Sequence, residues 1–214
     1  MKDIAIFAAG GFGREVLTII NAINNYRPMY NILGFFDDGL EKGALVNGYE
    51  VLGGINDLNA WNKPLSVVIC VGSPVTKVKI INLINNEYID YPTLIHPSVI
   101  IGDNNYVSIG KGCVICAGCL ITTNIVIDDF VILNLGCTVG HDTIIGKYAS
   151  FMPSVNISGE VKIGECVYVG TGTKIINQLS IGDHTIVGAG AVVAKDLPNN
   201  CTAVGVPAKP IKFN

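Results

Sequence analysis

Charge is scarce in this chain. Asp, Glu, Lys and Arg make up 14% of its 214 residues, the formal net charge is −3, and no cluster of Lys and Arg occurs. Affinity for nucleic acid rests on many cation–phosphate contacts, so that class of ligand is excluded. Long apolar runs are missing too. Half of the residues are hydrophobic, yet no stretch approaches the roughly 20 apolar residues of a membrane-crossing helix. Met1-Lys2-Asp3 leads straight into a short apolar strand and a glycine-rich turn, without the apolar region and cleavage site of a secretory signal. A soluble, cytoplasmic protein of one large or two small domains is expected.

What the chain does have is a period. From Val107 to Asp196 it repeats every six residues: VSIGKG, CVICAG, CLITTN, IVIDDF, VILNLG, CTVGHD, TIIGKY, ASFMPS, VNISGE, VKIGEC, VYVGTG, TKIINQ, LSIGDH, TIVGAG, AVVAKD. The third position is Ile, Leu, Val or Phe every time, and the first is small or apolar and never charged. Six is neither the 3.6 of a helix nor the alternation of an ordinary strand. It is the signature of a parallel β-helix, in which three hexads close one triangular coil and the third-position residues stack inside. Ile101 to Ile109 is two residues too long for the frame, so the first coil is irregular.

The same frame decides the cysteines. Cys113-x-x-Cys116-x-x-Cys119 has a metal-like spacing, but zinc needs four converging ligands and no histidine lies in the cluster. Cys113, Cys119 and Cys137 instead occupy first positions and read as small apolar fillers of a core. Neither a metal nor a disulfide framework is expected.

The first ninety residues follow a different grammar. Ile4-Ala5-Ile6-Phe7, Ile32-Leu33-Gly34-Phe35-Phe36 and Val67-Val68-Ile69-Cys70-Val71 read as buried strands. Val16, Ile19, Ile20 and Ile23 mark one face of a helix, and a second helix is expected from about Thr76 to Asn86. Such alternation makes a parallel sheet whose ligands bind beyond the carboxyl ends of the strands. Those ends carry Gly11-Phe12-Gly13, Asp37-Asp38 and Gly72-Ser73-Pro74. Glycines let backbone N–H groups approach a phosphate at a helix N-terminus. The third glycine of a dinucleotide fingerprint is replaced by Val16, which favours a nucleotide or nucleotide sugar over NAD. The bland alternative is that the glycines only make a tight turn. The prolines of Tyr91-Pro92-Thr93-Leu94-Ile95-His96-Pro97 mark a boundary, giving a small Rossmann-like α/β module over 1–91 and a β-helix domain over 92–214.

Of the three histidines, His96 lies at this boundary and His184 ends a hexad at a corner. His141 falls in mid-helix, after Gly140 and beside Asp142. A carboxylate can orient an imidazole for work as a general base near neutral pH. An inert surface histidine is the alternative.

The hexads, Val139-Gly140-His141-Asp142 and the ending Thr202-Ala203-Val204-Gly205-Val206-Pro207-Ala208-Lys209-Pro210 together resemble the left-handed β-helix acyltransferases. Ala9-Gly10-Gly11-Phe12-Gly13-Arg14-Glu15-Val16 and Phe35-Phe36-Asp37-Asp38 narrow the likeness to bacterial sugar acetyltransferases acting on nucleotide-linked amino sugars, a family that includes sialic acid O-acetyltransferases. The resemblance implies a homotrimer that uses acetyl-CoA and no metal, with His141 as base and Asp142 tuning it. It places Asn134 near the acceptor sugar and acetyl-CoA along Ser150, Gly170, Thr171, Gly188 and Ala189. The nucleotide end of the substrate would meet Gly11, Phe12, Gly13, Asp37, Asp38, Gly72, Ser73 and Lys77. N-acetylation of a nucleotide-linked 4-amino-4,6-dideoxysugar for surface glycans is expected. Sugar O-acetylation and a non-catalytic scaffold that binds a nucleotide sugar are the alternatives.

Overall fold

The structure, a computed structural model, describes residues 1–213. Asn214, the last residue of the expected second domain, lies outside the described residues. The chain divides into two compact units, Met1–Pro97 and a second that begins at Ser98.

In the first unit the elements run β1 (Lys2–Phe7), α1 (Gly11–Tyr26), β2 (Tyr30–Phe36), β3 (Leu45–Val46), β4 (Tyr49–Gly53), α2 (Ile55–Asn59), β5 (Leu65–Ile69), α3 (Pro74–Leu83) and β6 (Ile89–Asp90). The sheet order is β3-β4-β2-β1-β5-β6. All neighbours are parallel except β3 and β4. Ile4, Ala5, Ile6, Val67 and Val68 are all buried, as expected of central strands covered on both faces. Phe7, Phe36, Leu58, Leu65 and Ile69 share one core, and Trp61 meets Phe36 edge-on at 6.0 Å between ring centroids. Helix α1 turns Val16, Leu17, Ile19 and Ile20 inward. The chain leaves β1 for β2 on one side and later returns to β5 on the other. The strand order therefore reverses at β1, where parallel sheets open a binding crevice.

Helix α3 starts two residues before the expected Thr76 and ends at Leu83. Pro74 provides a preset first turn, and the Ser73 hydroxyl caps it by accepting the Thr76 N–H at 3.4 Å.

The second unit is the β-helix that the period predicts. Short parallel strands stack coil on coil in three ladders: Ile115, Leu133, Phe151, Val169 and Val187 pair in sequence in one of them. The third-position residues from Ile115 to Val193 are all buried, each worth about 1.5–3 kcal/mol against exposure. The stack also outruns the hexads. Val187 pairs with Ala203 and Ile181 with Leu197, 16 residues on instead of 18, and Cys201–Val204 then pairs antiparallel with Lys209–Phe213.

Two features of the coils were not visible in the period. The sixth residue of each hexad up to Gly190 turns the corner with positive φ, whatever its side chain: Asn124 (55°), Phe130 (57°), Asp142 (58°), Tyr148 (63°), Glu160 (59°) and Gln178 (60°) join the glycines there. Such residues ordinarily resist this conformation. Phe130, Asp142, Tyr148, Glu160 and Gln178 are held by their N–H groups, which donate to the previous coil, as from Asp142 to the Thr123 carbonyl and from Glu160 to that of His141. Second, the first-position cysteines are more than fillers. The thiols of Cys113, Cys119 and Cys137 donate to the carbonyls of Asp128, Asn134 and Met152 at 3.1, 3.2 and 3.3 Å. Buried Thr143 and Thr173 make the same bond to Ser158 and Gly188. Each satisfies a corner carbonyl 15 residues ahead.

Candidate active site

His141 and Asp142 end the hexad that begins at Cys137, on the corner after the strand Thr138–Val139. The His141 carbonyl accepts the Glu160 N–H at 2.8 Å, so the backbone is clamped by the coils on either side. The side chains point outward, 58% and 49% exposed. His141 Nδ1 lies 2.7 Å from Asp142 Oδ2, and Asn124 Nδ2 donates to Asp142 Oδ1 at 3.1 Å. The hydrogen bonds from His141 and then Asn124 hold the Asp142 carboxyl below its ordinary range. Asp142 is thus a carboxylate at neutral pH and can only accept. The proton therefore sits on Nδ1, and Nε2 presents its lone pair to a substrate.

The opposite side of the ring rests on the next coil. A methyl group on Gly159 would lie 2.6 Å from both Cε1 and Nε2 of His141. Gly159→Ala should displace the imidazole and lower kcat by about 10–100-fold, since an ångström of misplacement is costly at a reacting centre. Thiol release from acetyl-CoA measures it, and turnover within twofold of wild type would mean that the ring position is not limiting.

A second corner of the same prism has another character. Its sixth-position residues are Gly118, Gly136, Ser154, Gly172 and Gly190, whereas the His141 corner carries Asn124, Asp142, Glu160 and Gln178. Gly136, Gly172 and Gly190 have positive φ, and a Cβ on any of them would meet nothing within 4 Å. Packing inside the protomer does not require these glycines. They leave a corner where a ligand or a neighbouring chain can approach the backbone. Asn134, Gly170, Thr171, Gly188 and Ala189 lie at the fourth and fifth positions of this corner, beside those glycines. Asn134 is largely buried, and its Oδ1 takes the Leu135 N–H at 2.7 Å. Ser150 differs from expectation: it sits in mid-face and is fully buried, so its hydroxyl does not reach solvent in the protomer.

In the first unit Gly11-Phe12-Gly13 form the first turn of α1 beyond the end of β1, with their N–H groups unspent by the helix. Space is open where Gly10 or Gly11 would carry a Cβ, while at Gly13 it would collide with the Ala8 carbonyl. Gly72 and Ser73 lie across the crevice beyond β5. The two acids after β2, expected to accept from the nucleotide, also bond to the framework. Asp37 takes the N–H groups of Ala9 and Gly39, each at 2.8 Å, tying the glycine turn to β2. Asp38 takes the Ile55 N–H at 2.7 Å at the start of α2. Lys77 is corrected: it is 1% exposed, because α3 turns it inward with Pro74, and it is no solvent-facing phosphate contact. Asn124 and Gly159 went unmarked in the sequence. Their signal was a place one coil, 18 residues, before Asp142 and after His141.

All seven cysteines are buried thiols. Among the described residues no group of three or more His, Cys, Asp or Glu could hold a metal ion, and no helix is long and apolar enough to cross a membrane.

Residues 3–84 match the PglD N-terminal domain family. The GDP-perosamine N-acetyltransferase of Escherichia coli O157:H7 is 33% identical over 164 residues, spanning 76% of this chain and 73% of that protein. The acetyltransferase domain of PglB from Neisseria gonorrhoeae, solved with acetyl coenzyme A, superposes with a TM-score of 0.86 at 31% identity, covering 98% of this chain and 99% of that one. PerB from Caulobacter crescentus, solved with CoA and GDP-perosamine, gives a TM-score of 0.89 at 28% identity, covering 99% and 98%. With a β-helix, a histidine–carboxylate pair on its corner and relatives of this kind along nearly its whole length, the chain belongs to the bacterial acetyl-CoA-dependent nucleotide-sugar N-acetyltransferases of the left-handed β-helix, hexapeptide-repeat superfamily.

Proposed function

We propose that the protein acetylates the amine of a nucleotide-linked 4-amino-4,6-dideoxysugar, a step toward a bacterial surface glycan, in the cytoplasm where both co-substrates are made. The observation that carries this is the His141–Asp142 pair, held by Nδ1 on an exposed corner of the β-helix. A GDP-linked sugar is the first to test, since one relative is named for GDP-perosamine and another is solved with it. The first unit, 1–91 by its sequence pattern, binds the nucleotide through the crevice between Gly11-Phe12-Gly13 and Gly72-Ser73.

In the reaction the amine nitrogen attacks the thioester carbonyl and its proton passes to His141 Nε2. A backbone N–H steadies the oxyanion. As the C–N bond settles, the C–S bond breaks, and the imidazolium returns the proton to the leaving thiolate. Asp142 stabilises the imidazolium in between. Acetyl-CoA is a long thin chain, and the glycine corner along Gly170, Thr171, Gly188 and Ala189 suits it. Asn134 lies on that corner, toward the acceptor.

The base and the glycine corner stand on successive corners of one prism. They are six residues apart along a coil, Gly136 to Asp142, a span of up to about 20 Å. A complete site then pairs the His141 corner of one chain with the glycine corner of another, and cyclic closure around a three-sided prism gives a homotrimer. Thiol release with a panel of nucleotide-linked amino sugars, free amino sugars and sialic acids tests the reaction. Release with hydroxyl acceptors alone would make it an O-acetyltransferase, and binding without release would make it a scaffold. Assembly is tested by mixing. His141→Ala and Gly172→Tyr chains should each be inactive alone, and co-refolded they should regain about a quarter of wild-type turnover, the share of interfaces with both corners intact. No recovery in mixed trimers, or a fully active monomer by light scattering, would overturn the shared site.

A further inference from the structure

We infer that Asn124 is a positioning residue for the acetyl transfer, acting through Asp142; this rests on the base role proposed for His141. Asn124 and Asp142 end hexads one coil apart, and both turn the corner with positive φ, 55° and 58°. The two oxygens of the Asp142 carboxylate receive one donor each, from different sides. Asn124 Nδ2 reaches Oδ1 at 3.1 Å, and His141 Nδ1 reaches Oδ2 at 2.7 Å. Asp142 is half exposed, and a carboxylate there with a single partner is free to swing about its χ2, taking the imidazole with it. A second donor on a fixed backbone removes that freedom, which is how a supporting residue preorganises the group that does the chemistry.

The chemistry of the donor matters as much as its place. A lysine or arginine in the position of Asn124 would pair with Asp142 and spend the negative charge that supports the imidazolium. An amide holds the carboxylate and leaves its charge to His141. The corner has a second amide–carboxylate pair two coils further on, with the amide on the later coil, where Gln178 Nε2 donates to Glu160 at 3.2 and 3.3 Å. Of the two amide–carboxylate pairs, only that of Asn124 continues to an imidazole. Asn124 also suits its backbone, since asparagine tolerates positive φ better than most residues.

Asn124→Gly is the informative change, because glycine already takes the same sixth position at the neighbouring corner, at Gly118 and Gly136 (φ 74° and 67°), and removes the amide without backbone strain. A fall in kcat of about 3–10-fold is expected, with KM for acetyl-CoA and for the amino sugar unchanged and the melting temperature within a degree or two of wild type. In an Asp142→Asn background the same change should cost less than about twofold, since the two residues act as one unit. Asn124→Asp, of the same shape but without a donor, should lose at least as much as glycine. Wild-type kcat in either variant, a rise in KM in place of the fall, or an undiminished fall in the Asp142→Asn background would each overturn the inference. Wild-type turnover is fixed beforehand by the thiol-release assay, so such a result falls on Asn124 and not on the proposed reaction.

Discussion

His141→Ala should lower turnover by about 10²–10⁴-fold, the usual share of a general base, with the fold and acetyl-CoA affinity nearly unchanged. The fold is spared because the side chain points outward and the coil is held by backbone bonds through the His141 carbonyl, which alanine keeps. Acetyl-CoA affinity is spared because the residues proposed to hold it, Gly170, Thr171, Gly188 and Ala189, do not include His141. The other two histidines are the controls. His184 ends a hexad with φ 56° and is exposed, so His184→Asn, which suits that backbone, should leave turnover within about twofold. His96→Ala should do the same. Steady-state thiol release decides it: near-wild-type turnover in His141→Ala would move the base role to another group or to the substrate amine.

Phe151→Ala should cost about 3–5 kcal/mol of stability, the largest loss from any single change in the inward stack. Phe151 is the only aromatic among the third-position residues, fully buried between Leu133 and Val169 of its ladder. Each coil touches only its neighbours, so the coils on both sides would share the void rather than close it. The expected fall in melting temperature is about 10 °C, read by thermal unfolding, with Phe151→Leu losing far less. A shift of only a degree or two would mean that the stack can collapse around the missing ring.

How much of this was legible follows from where the determining contacts lie. The period of six fixed the coils, their inward column and the corner position of His141, because a repeat writes its own frame into the chain. It hid the positive φ at the corners: Phe130, Tyr148, Glu160 and Gln178 give no local sign of it, and what imposes it is an N–H bond to another coil. The stack beyond Asp196 was missed because the coil shortens there by two residues. Asp37 and Asp38 were recognisable as the end of a strand. Their partners Ala9 and Ile55, 28 and 17 residues away, were not. Lys77 was misread because a lysine is ordinarily on the solvent side of a helix, whereas α3 buries it with Pro74. Asn124 and Gly159 could have been found by stepping 18 residues either way from the His141–Asp142 pair.

The thiol-to-carbonyl bonds inside the coils give the protein a practical property. Threonine fills the same first position at Thr143 and Thr173 and makes the same bond 15 residues ahead. Exchange of Cys113, Cys119 and Cys137 for threonine should therefore keep their bonds to the carbonyls of Asp128, Asn134 and Met152. A chain treated this way gains a quieter thiol background. One cysteine set on the exposed His141 corner, at Gln178 for instance, would then take a fluorophore or spin label, and distances between labels would test the proposed trimer in solution.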